Sequence, residues 1–201
     1  MSEQPIWAPI PGETPLEDFD GLRIRSVRTR AQLNIVEAEN VKQAIAKYLT
    51  TKNAPFDYAW VVRLHGEMFG DVWKWAGSSR QEDLNFGCAW HQIPEQLKQL
   101  LDNVHSWTDF GWPLEEQAAA LHHRAVRIHP FKNGNGRWAR LLANLWLLRN
   151  GEPFVAWPDD LLGEESTIRA EYIAALKRAD VSDLAPLRSL QARFRERSGR
   201  S

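Results

Sequence analysis

The stretch His129-Pro130-Phe131-Lys132-Asn133-Gly134-Asn135-Gly136-Arg137-Trp138-Ala139-Arg140 decides how this chain is read. It joins two apolar patterns of helical period through a glycine-rich turn. Before it, Leu114, Ala118, Leu121, Ala125 and Ile128 recur on one face. After it, Trp138, Leu141, Leu142, Leu145 and Leu148 do the same, and Gly151 is a natural stop. Proline disfavours the helical conformation for its predecessor, so His129 belongs at the end of the first helix. The second helix then begins among cations, which its positive N-terminal dipole disfavours. Lys132, Arg137 and Arg140 crowd that end, and no acidic residue lies between His129 and Arg140. Free N–H groups at a helix start form a ready anion site, so the segment predicts a phosphate-bearing ligand.

Working outward, the helical period continues over most of the chain. From Thr29 to about Leu49 the residues Leu33, Val36, Val41, Ala44, Ile45 and Tyr48 define one helix, broken at Asn53-Ala54-Pro55. A second runs from about Asp57 to Phe69, with Trp60, Val61, Leu64 and Met68 on one side. Further helices are expected at about 94–107, 113–128, 136–149, 165–179 and 182–196. Ser78 to Trp90 carries the one strand signal, Leu84, Phe86 and Cys88 alternating about Asn85-Phe86-Gly87, which predicts a short hairpin. The fold class is all-α, a helical bundle with one small β-hairpin. Residues 1–28, rich in Pro, Gly and acidic side chains, read as an irregular arm.

The 201 residues carry 25 Lys and Arg against 26 Asp and Glu, a net charge of −1 that speaks against a nucleic-acid-coating protein. The local cluster Arg188, Arg193, Arg195, Arg197 and Arg200 reads as a solvated helix end. One cysteine, Cys88, excludes an intramolecular disulfide and fits a reducing, cytoplasmic setting. The first residues lack the pattern of a signal peptide, and the longest apolar run, Leu141 to Leu148, is too short to span a bilayer. His122 and His123 are adjacent, so they point apart on a helix and make poor co-ligands for a metal. Most of the ten tryptophans fall at core spacings.

Chemically, a histidine at one helix end faces a glycine-lined anion site at the next helix start. That is the arrangement needed to deprotonate a hydroxyl beside a bound phosphate. A helix C-terminus favours a cation, which would strengthen His129 as a proton acceptor. Gly134 and Gly136 let the backbone approach a phosphate, Asn135 can brace the turn, and Phe131 reads as a core anchor. By spacing alone, a plain helix–turn–helix junction explains the same residues equally well.

The string resembles the signature of the Fic family, His-x-Phe-x-(Asp/Glu)-Gly-Asn-Gly-Arg-x-x-Arg, with every fixed position met but one. Trp73-Lys74-Trp75-Ala76-Gly77 followed by Ile93-Pro94 resembles the family's flap region. The similarity covers roughly Phe56 to Ala179. The arm Pro9 to Leu16 and the Trp-Ala-Arg ending of the motif resemble the branch called mobile mystery protein B.

The resemblance implies a Fic-type bundle over 56–180, preceded by a candidate inhibitory helix over 29–50 and followed by a C-terminal helix and basic tail over 181–201. It implies transfer of AMP from ATP to a hydroxyl of a target protein. His129 would be the base, Gly134, Asn135 and Gly136 the cradle for the α- and β-phosphates, and Arg137 and Arg140 the clamp on the outer ones. Leu84, Asn85 and Phe86 would register the target segment by strand-like pairing. Asn133 stands where most active members carry an acid that ligates Mg²⁺ (or Mn²⁺), which puts metal affinity and donor choice in question. Glu39-Asn40 matches the end of the family's inhibitory motif, although Ile35 fills its Ser/Thr place. Glu39 is the inhibitory residue on that match. The helical wheel instead puts Glu37 inside the apolar stripe, which makes it a rival. The branch likeness further suggests a helix-turn-helix regulator or antitoxin-like partner for a toxin-like component. A non-catalytic nucleotide-binding relative is the alternative.

Overall fold

A computed structural model describes residues 21–49, 54–158 and 166–195. Among the described residues seven helices form the fold: α1 (Arg30–Leu49), α2 (Tyr58–Phe69), α3 (Ile93–Trp107), α4 (Leu114–Ile128), α5 (Asn135–Arg149), α6 (Thr167–Ala179) and α7 (Ala185–Phe194), with a 3-10 turn at Trp90–Gln92. Their ends follow local chemistry. The Asp57 carboxylate accepts the N–H of Trp60 at 2.8 Å, and the Ser166 hydroxyl accepts that of Arg169 at 3.3 Å, each closing an N-cap. Gly151 takes φ 84° just past α5. The last helix is shorter than its periodicity suggested, because Ser182 adopts φ 67° and Pro186 occupies the first turn of α7. Glu165, the expected start of α6, lies outside the described residues, as do Arg197, Arg200 and the arm over 1–20.

Helices α4 and α5, joined by the motif loop 129–134, form the centre. The α5 helix is buried nearly all round, with Trp138, Leu141, Leu142, Leu145, Trp146 and Leu147 inaccessible. Its one buried mid-helix amide is fully used. Asn144 Oδ1 accepts the Val155 N–H at 2.8 Å, and its Nδ2 donates to the Val155 carbonyl at 3.0 Å, pinning the segment after α5. Against this pair pack α1 through Leu33, Ala44 and Tyr48, α2 through Trp60, Leu64 and Met68, and α3 through Leu97, Leu100 and Val104. Helix α1 therefore shares the main core with 56–180. A smaller cluster, Ala119, Tyr172, Ala175, Leu187 and Leu190, holds α6 and α7 on another face of α4.

Residues 21–28 are irregular but tied down. Arg23 donates its N–H to the Val72 carbonyl at 2.8 Å, and Lys74 donates to Gly21 at 2.8 Å. The C-terminal arginines within the described residues are paired, Arg188 with Glu116 at 2.7 Å and Arg193 with Glu171 at 2.7 Å. No described helix is long and apolar enough to cross a membrane.

The expected hairpin over 78–90 does not form. No residue from 78 to 90 is in a strand or bridge, and the isolated bridges Leu22 with Trp73 and Val155 with Arg195 lie elsewhere. The reason is where the segment's hydrogen bonds go. Arg80 donates its backbone N–H to the Pro130 carbonyl at 2.9 Å, and Cys88 donates to Ile128 at 3.3 Å. The two sides of the loop bond the motif loop and the end of α4 instead of each other.

Candidate active site

Helix α4 ends in His129, which is left-handed at φ 52°, ψ 60° and donates its N–H to the Ala125 carbonyl at 3.3 Å. That conformation turns the chain abruptly into the motif loop. His129 Nδ1 lies 3.2 Å from the Val126 carbonyl. A carbonyl can only accept, so the proton sits on Nδ1, and Nε2 is the acceptor nitrogen of the neutral ring. Burial, helped by the Arg80 charge and opposed by the Val126 bond, pushes His129 down to about 4. The helix terminus was expected to strengthen this base; burial outweighs it. The imidazole is consequently neutral at pH 7, the form a general base requires.

The loop is built rigidly. Asn135 braces it with both ends of its amide, Oδ1 accepting the Phe131 N–H at 2.9 Å and Nδ2 donating to the Phe131 carbonyl at 2.8 Å. Phe131 is fully buried and stacks on His65 with ring centres 3.7 Å apart. His65, also fully buried, accepts the Gly77 N–H at Nδ1 (3.0 Å), so its proton is on Nε2, which donates to the Asn133 carbonyl at 3.0 Å. Burial pushes His65 down to about 3, keeping it neutral in this bridging role. Gly134 has φ 77°, and a Cβ there would fall 2.7 Å from two ring carbons of Phe69. Only glycine fits.

The start of α5 leaves the N–H groups of Asn135, Gly136 and Arg137 without intrahelical acceptors. At Gly136 a Cβ would meet only Arg140 and the Tyr172 hydroxyl, at 3.7 and 3.9 Å. Nothing among the described residues requires glycine there, and its absent side chain leaves open space beside the free N–H groups, where an anion could approach. Arg140 lies over the Tyr172 ring at 5.5 Å, and no carboxylate among the described residues pairs with it.

Arg137 differs. Its Nη1 donates to Glu37 Oε2 at 2.6 Å, while its guanidinium lies 4.6 Å from the centre of the Phe69 ring. Glu37 is buried, and its Oε1 accepts the Trp73 Nε1–H at 2.6 Å. The cation crowding read from the motif is thus partly answered by a carboxylate from α1. Glu39 is exposed, accepts from Gln43 at 3.5 Å, and makes no ion pair with Arg140. It does share a cavity of about 770 Å³ between α1 and α5 with Lys42, Arg137 and Arg140. The structure therefore brings Glu37 to the first motif arginine and leaves Glu39 beside the second.

Above His129 sits the loop that was expected to be a hairpin. Arg80, fully buried, donates Nε to the His129 carbonyl and Nη1 to the Glu82 carbonyl, each at 2.7 Å, and Nη2 to the Cys88 carbonyl. Gly87 has φ 103°, and a Cβ there would lie 2.7 Å from His129 Cβ. The loop can approach the histidine only because that residue is glycine. Leu84, Asn85 and Phe86 crown it, with the Phe86 ring edge-on to His129 at 5.5 Å. Sequence reasoning missed Arg80, His65 and Gly87. A histidine on the buried face of α2 was a legible signal for His65, whereas nothing local marks Arg80.

Asn133 is buried, and its Oδ1 accepts the Gly134 N–H at 2.6 Å. No group of three or more His, Cys, Asp or Glu among the described residues could hold a metal ion. One neutral amide oxygen, already accepting, does not fit a magnesium ion held by protein ligands.

The helical bundle thus sets a buried, neutral histidine beside a glycine-lined helix start. Residues 55–147, just under half of the chain, match the model of the Fic/DOC family. It is 39% identical over 106 residues to protein adenylyltransferase fic-1 of Caenorhabditis elegans, covering 53% of this chain and 20% of that protein. It is 42% identical over 131 residues to protein adenylyltransferase Fic of Drosophila melanogaster, covering 63% of this chain and 25% of that protein. The chain thus spans about a quarter or less of the length of these relatives. The solved structure of Fic-1 residues 134–508 from C. elegans superposes with a TM-score of 0.67 at 27% identity, covering 88% of this chain and 52% of that one. BepC of Bartonella tribocorum with bound AMPPNP shares the fold, with a TM-score of 0.65 at 19% identity over 94% and 95% of the two chains.

Proposed function

We propose that this chain is a protein adenylyltransferase that transfers AMP from ATP to a hydroxyl side chain of a target protein. The observation that carries the reading is the neutral His129 ring, with its acceptor Nε2, set across the braced loop from the open start of α5. In this reading His129 Nε2 takes the proton of a target Ser, Thr or Tyr hydroxyl as its oxygen attacks the α-phosphorus. The bond from that phosphorus to the bridging oxygen of the β-phosphate breaks, and pyrophosphate leaves with the electron pair. The N–H groups of Asn135 and Gly136 hold the phosphates, joined by that of Gly134 when it gives up its bond to Asn133 Oδ1, and Arg140, with Arg137 beside it, meets the outer ones. Leu84, Asn85 and Phe86 position the target segment over His129.

Any Mg²⁺ or Mn²⁺ would be carried mainly by the phosphates, since Asn133 offers only a neutral oxygen. Glu39 would restrain the site by competing with an outer phosphate for Arg140. The mobile mystery protein B likeness supports a cytoplasmic, toxin-like component with a helix-turn-helix regulator as partner.

The test is α-labelled ATP with Mg²⁺ or Mn²⁺, with and without cell lysate, using wild type, His129→Ala and Glu39→Gly. The expected result is label on protein that depends on His129 and increases in Glu39→Gly. Absence of His129-dependent label in every background refutes the enzyme. The bond from Gly134 N–H to Asn133 Oδ1 favours a second reading, a nucleotide-binding module without transfer. It predicts calorimetric ATP binding with no label.

A further inference from the structure

Away from the motif, a second cavity of about 820 Å³ opens between α3, α4 and the turn after α6. Its floor combines indole rings and a cation. Trp107 is buried and stacks on the half-exposed Trp112, ring centres 5.5 Å apart and planes 6° from parallel. The Arg124 guanidinium lies 5.2 Å from the centre of the Trp107 ring. Burial pushes that guanidinium below its ordinary value, yet no carboxylate or carbonyl among the described residues accepts a bond from it.

The other charges around the cavity are already engaged. His123 Nε2 bonds Asp180 at 2.9 Å, and Arg127 approaches the same carboxylate at 3.5 Å. Burial outweighs Asp180 and holds His123 below its usual value, so Arg124 and Arg127 leave the cavity net positive against one acid. Gln99 and Asn103 face the space with side-chain amides that have no partner among the described residues.

A half-buried cation without a counter-ion carries a desolvation cost that an anion would offset. The planar fork of a guanidinium matches carboxylate and phosphate oxygens. The volume far exceeds one inorganic ion and falls among cavities that hold small organic ligands. The exposed face of an indole pair suits a flat apolar group.

We infer that this cavity binds an organic anion, its carboxylate or phosphate seated on Arg124 and its flat part against Trp112. The inference stands apart from the adenylyl-transfer reading, because none of these residues belongs to the motif. The test follows the indole N–H resonances of Trp107 and Trp112 in the ¹⁵N-labelled full chain. The probes are inorganic phosphate, AMP and benzoate, each titrated at constant ionic strength. The expected result is a saturable shift of both resonances with AMP or benzoate, at lower concentration than with inorganic phosphate. Whichever of the two binds more tightly distinguishes a phosphate from a carboxylate source. Arg124→Gln should weaken that binding by about tenfold or more, the effect of one charge-assisted contact. If that variant does not fold, Arg124→Lys should bind more weakly than wild type without losing the site. No saturable shift with any probe, or equal shifts in the Arg124 variants, overturns the inference.

Discussion

Replacing Glu37 with Gln removes one negative charge and little volume, so it isolates the buried bridge between α1, Trp73 and Arg137. In the native structure both carboxylate oxygens are used, each at 2.6 Å. An amide keeps one oxygen to accept with and turns its NH₂ toward the other donor. Either Trp73 Nε1 or Arg137 then faces a donor in a site where Glu37 is 4% exposed. Breaking a buried pair by removing one partner costs roughly 3–5 kcal/mol. The Arg137 side chain retains 15% exposure, and water can partly resolvate it, which favours the lower end, about 3 kcal/mol. For a chain of this length that is a fall of roughly 6–12 °C in Tm. Calorimetry or thermal circular dichroism reads it directly. Glu39→Gln is the internal control, an exposed change expected to stay within about 0.5 kcal/mol. Loss below about 1 kcal/mol for Glu37→Gln, the range of a surface pair, would refute the claim that α1 is fastened through this residue. A double-mutant cycle with Arg137→Met should recover most of the loss as coupling energy.

Protonation supplies a second prediction. His65 titrates near 3 in the folded chain against an ordinary 6.5, and His129 near 4, so the unfolded chain binds protons that the folded one refuses. Stability is complete above about pH 6.5 and falls as pH drops, by up to about 1.4 kcal/mol per pH unit for each such histidine. Urea titrations across pH 7 to 4 should show that slope, shallower in His65→Leu; an unchanged slope would assign it elsewhere. Arg80→Met leaves the carbonyls of His129, Glu82 and Cys88 without their donor, and should cost about 3 kcal/mol and open 81–88 to limited proteolysis. Wild-type protease resistance in that loop would contradict the assigned seat. Asn133→Asp should tighten the Mg²⁺ dependence of nucleotide binding in calorimetric titrations, because it supplies the anionic oxygen the loop lacks; identical Mg²⁺ curves would count against that account.

Helix positions were legible because burial on a helix leaves a 3.6-residue trace, and Leu33, Trp60, Leu121 and Trp138 all carry it. The braced loop was legible because glycine and asparagine announce their backbone roles locally. The hairpin failed for the complementary reason. Alternation at Leu84, Phe86 and Cys88 is a local signal, while the segment's hydrogen-bond partners, Ile128 and Pro130, lie forty and fifty residues away in sequence from Cys88 and Arg80. Glu37 shows both sides of this limit. The wheel placed it on the buried face of α1, but its partner, Arg137, is set by how α1 packs on α5. The strength of His129 as a base was misjudged because a helix end is visible in sequence and desolvation is not.

The buried guanidinium of Arg80 has a consequence for how this domain can change. A loop held by a ladder of paired strands must keep its length and register, since one inserted residue reverses every following side chain. Here the seat is one side chain and two backbone bonds at the loop's ends, at Arg80 and Cys88. Between them Asp83 accepts the Trp90 N–H at 2.7 Å, and Phe86 and Gly87 meet His129; the rest of the tip can be exchanged or lengthened without moving His129 or the motif loop. On the proposed reading, recognition of a new polypeptide can therefore be rewritten at the tip while the chemistry beneath it is left intact.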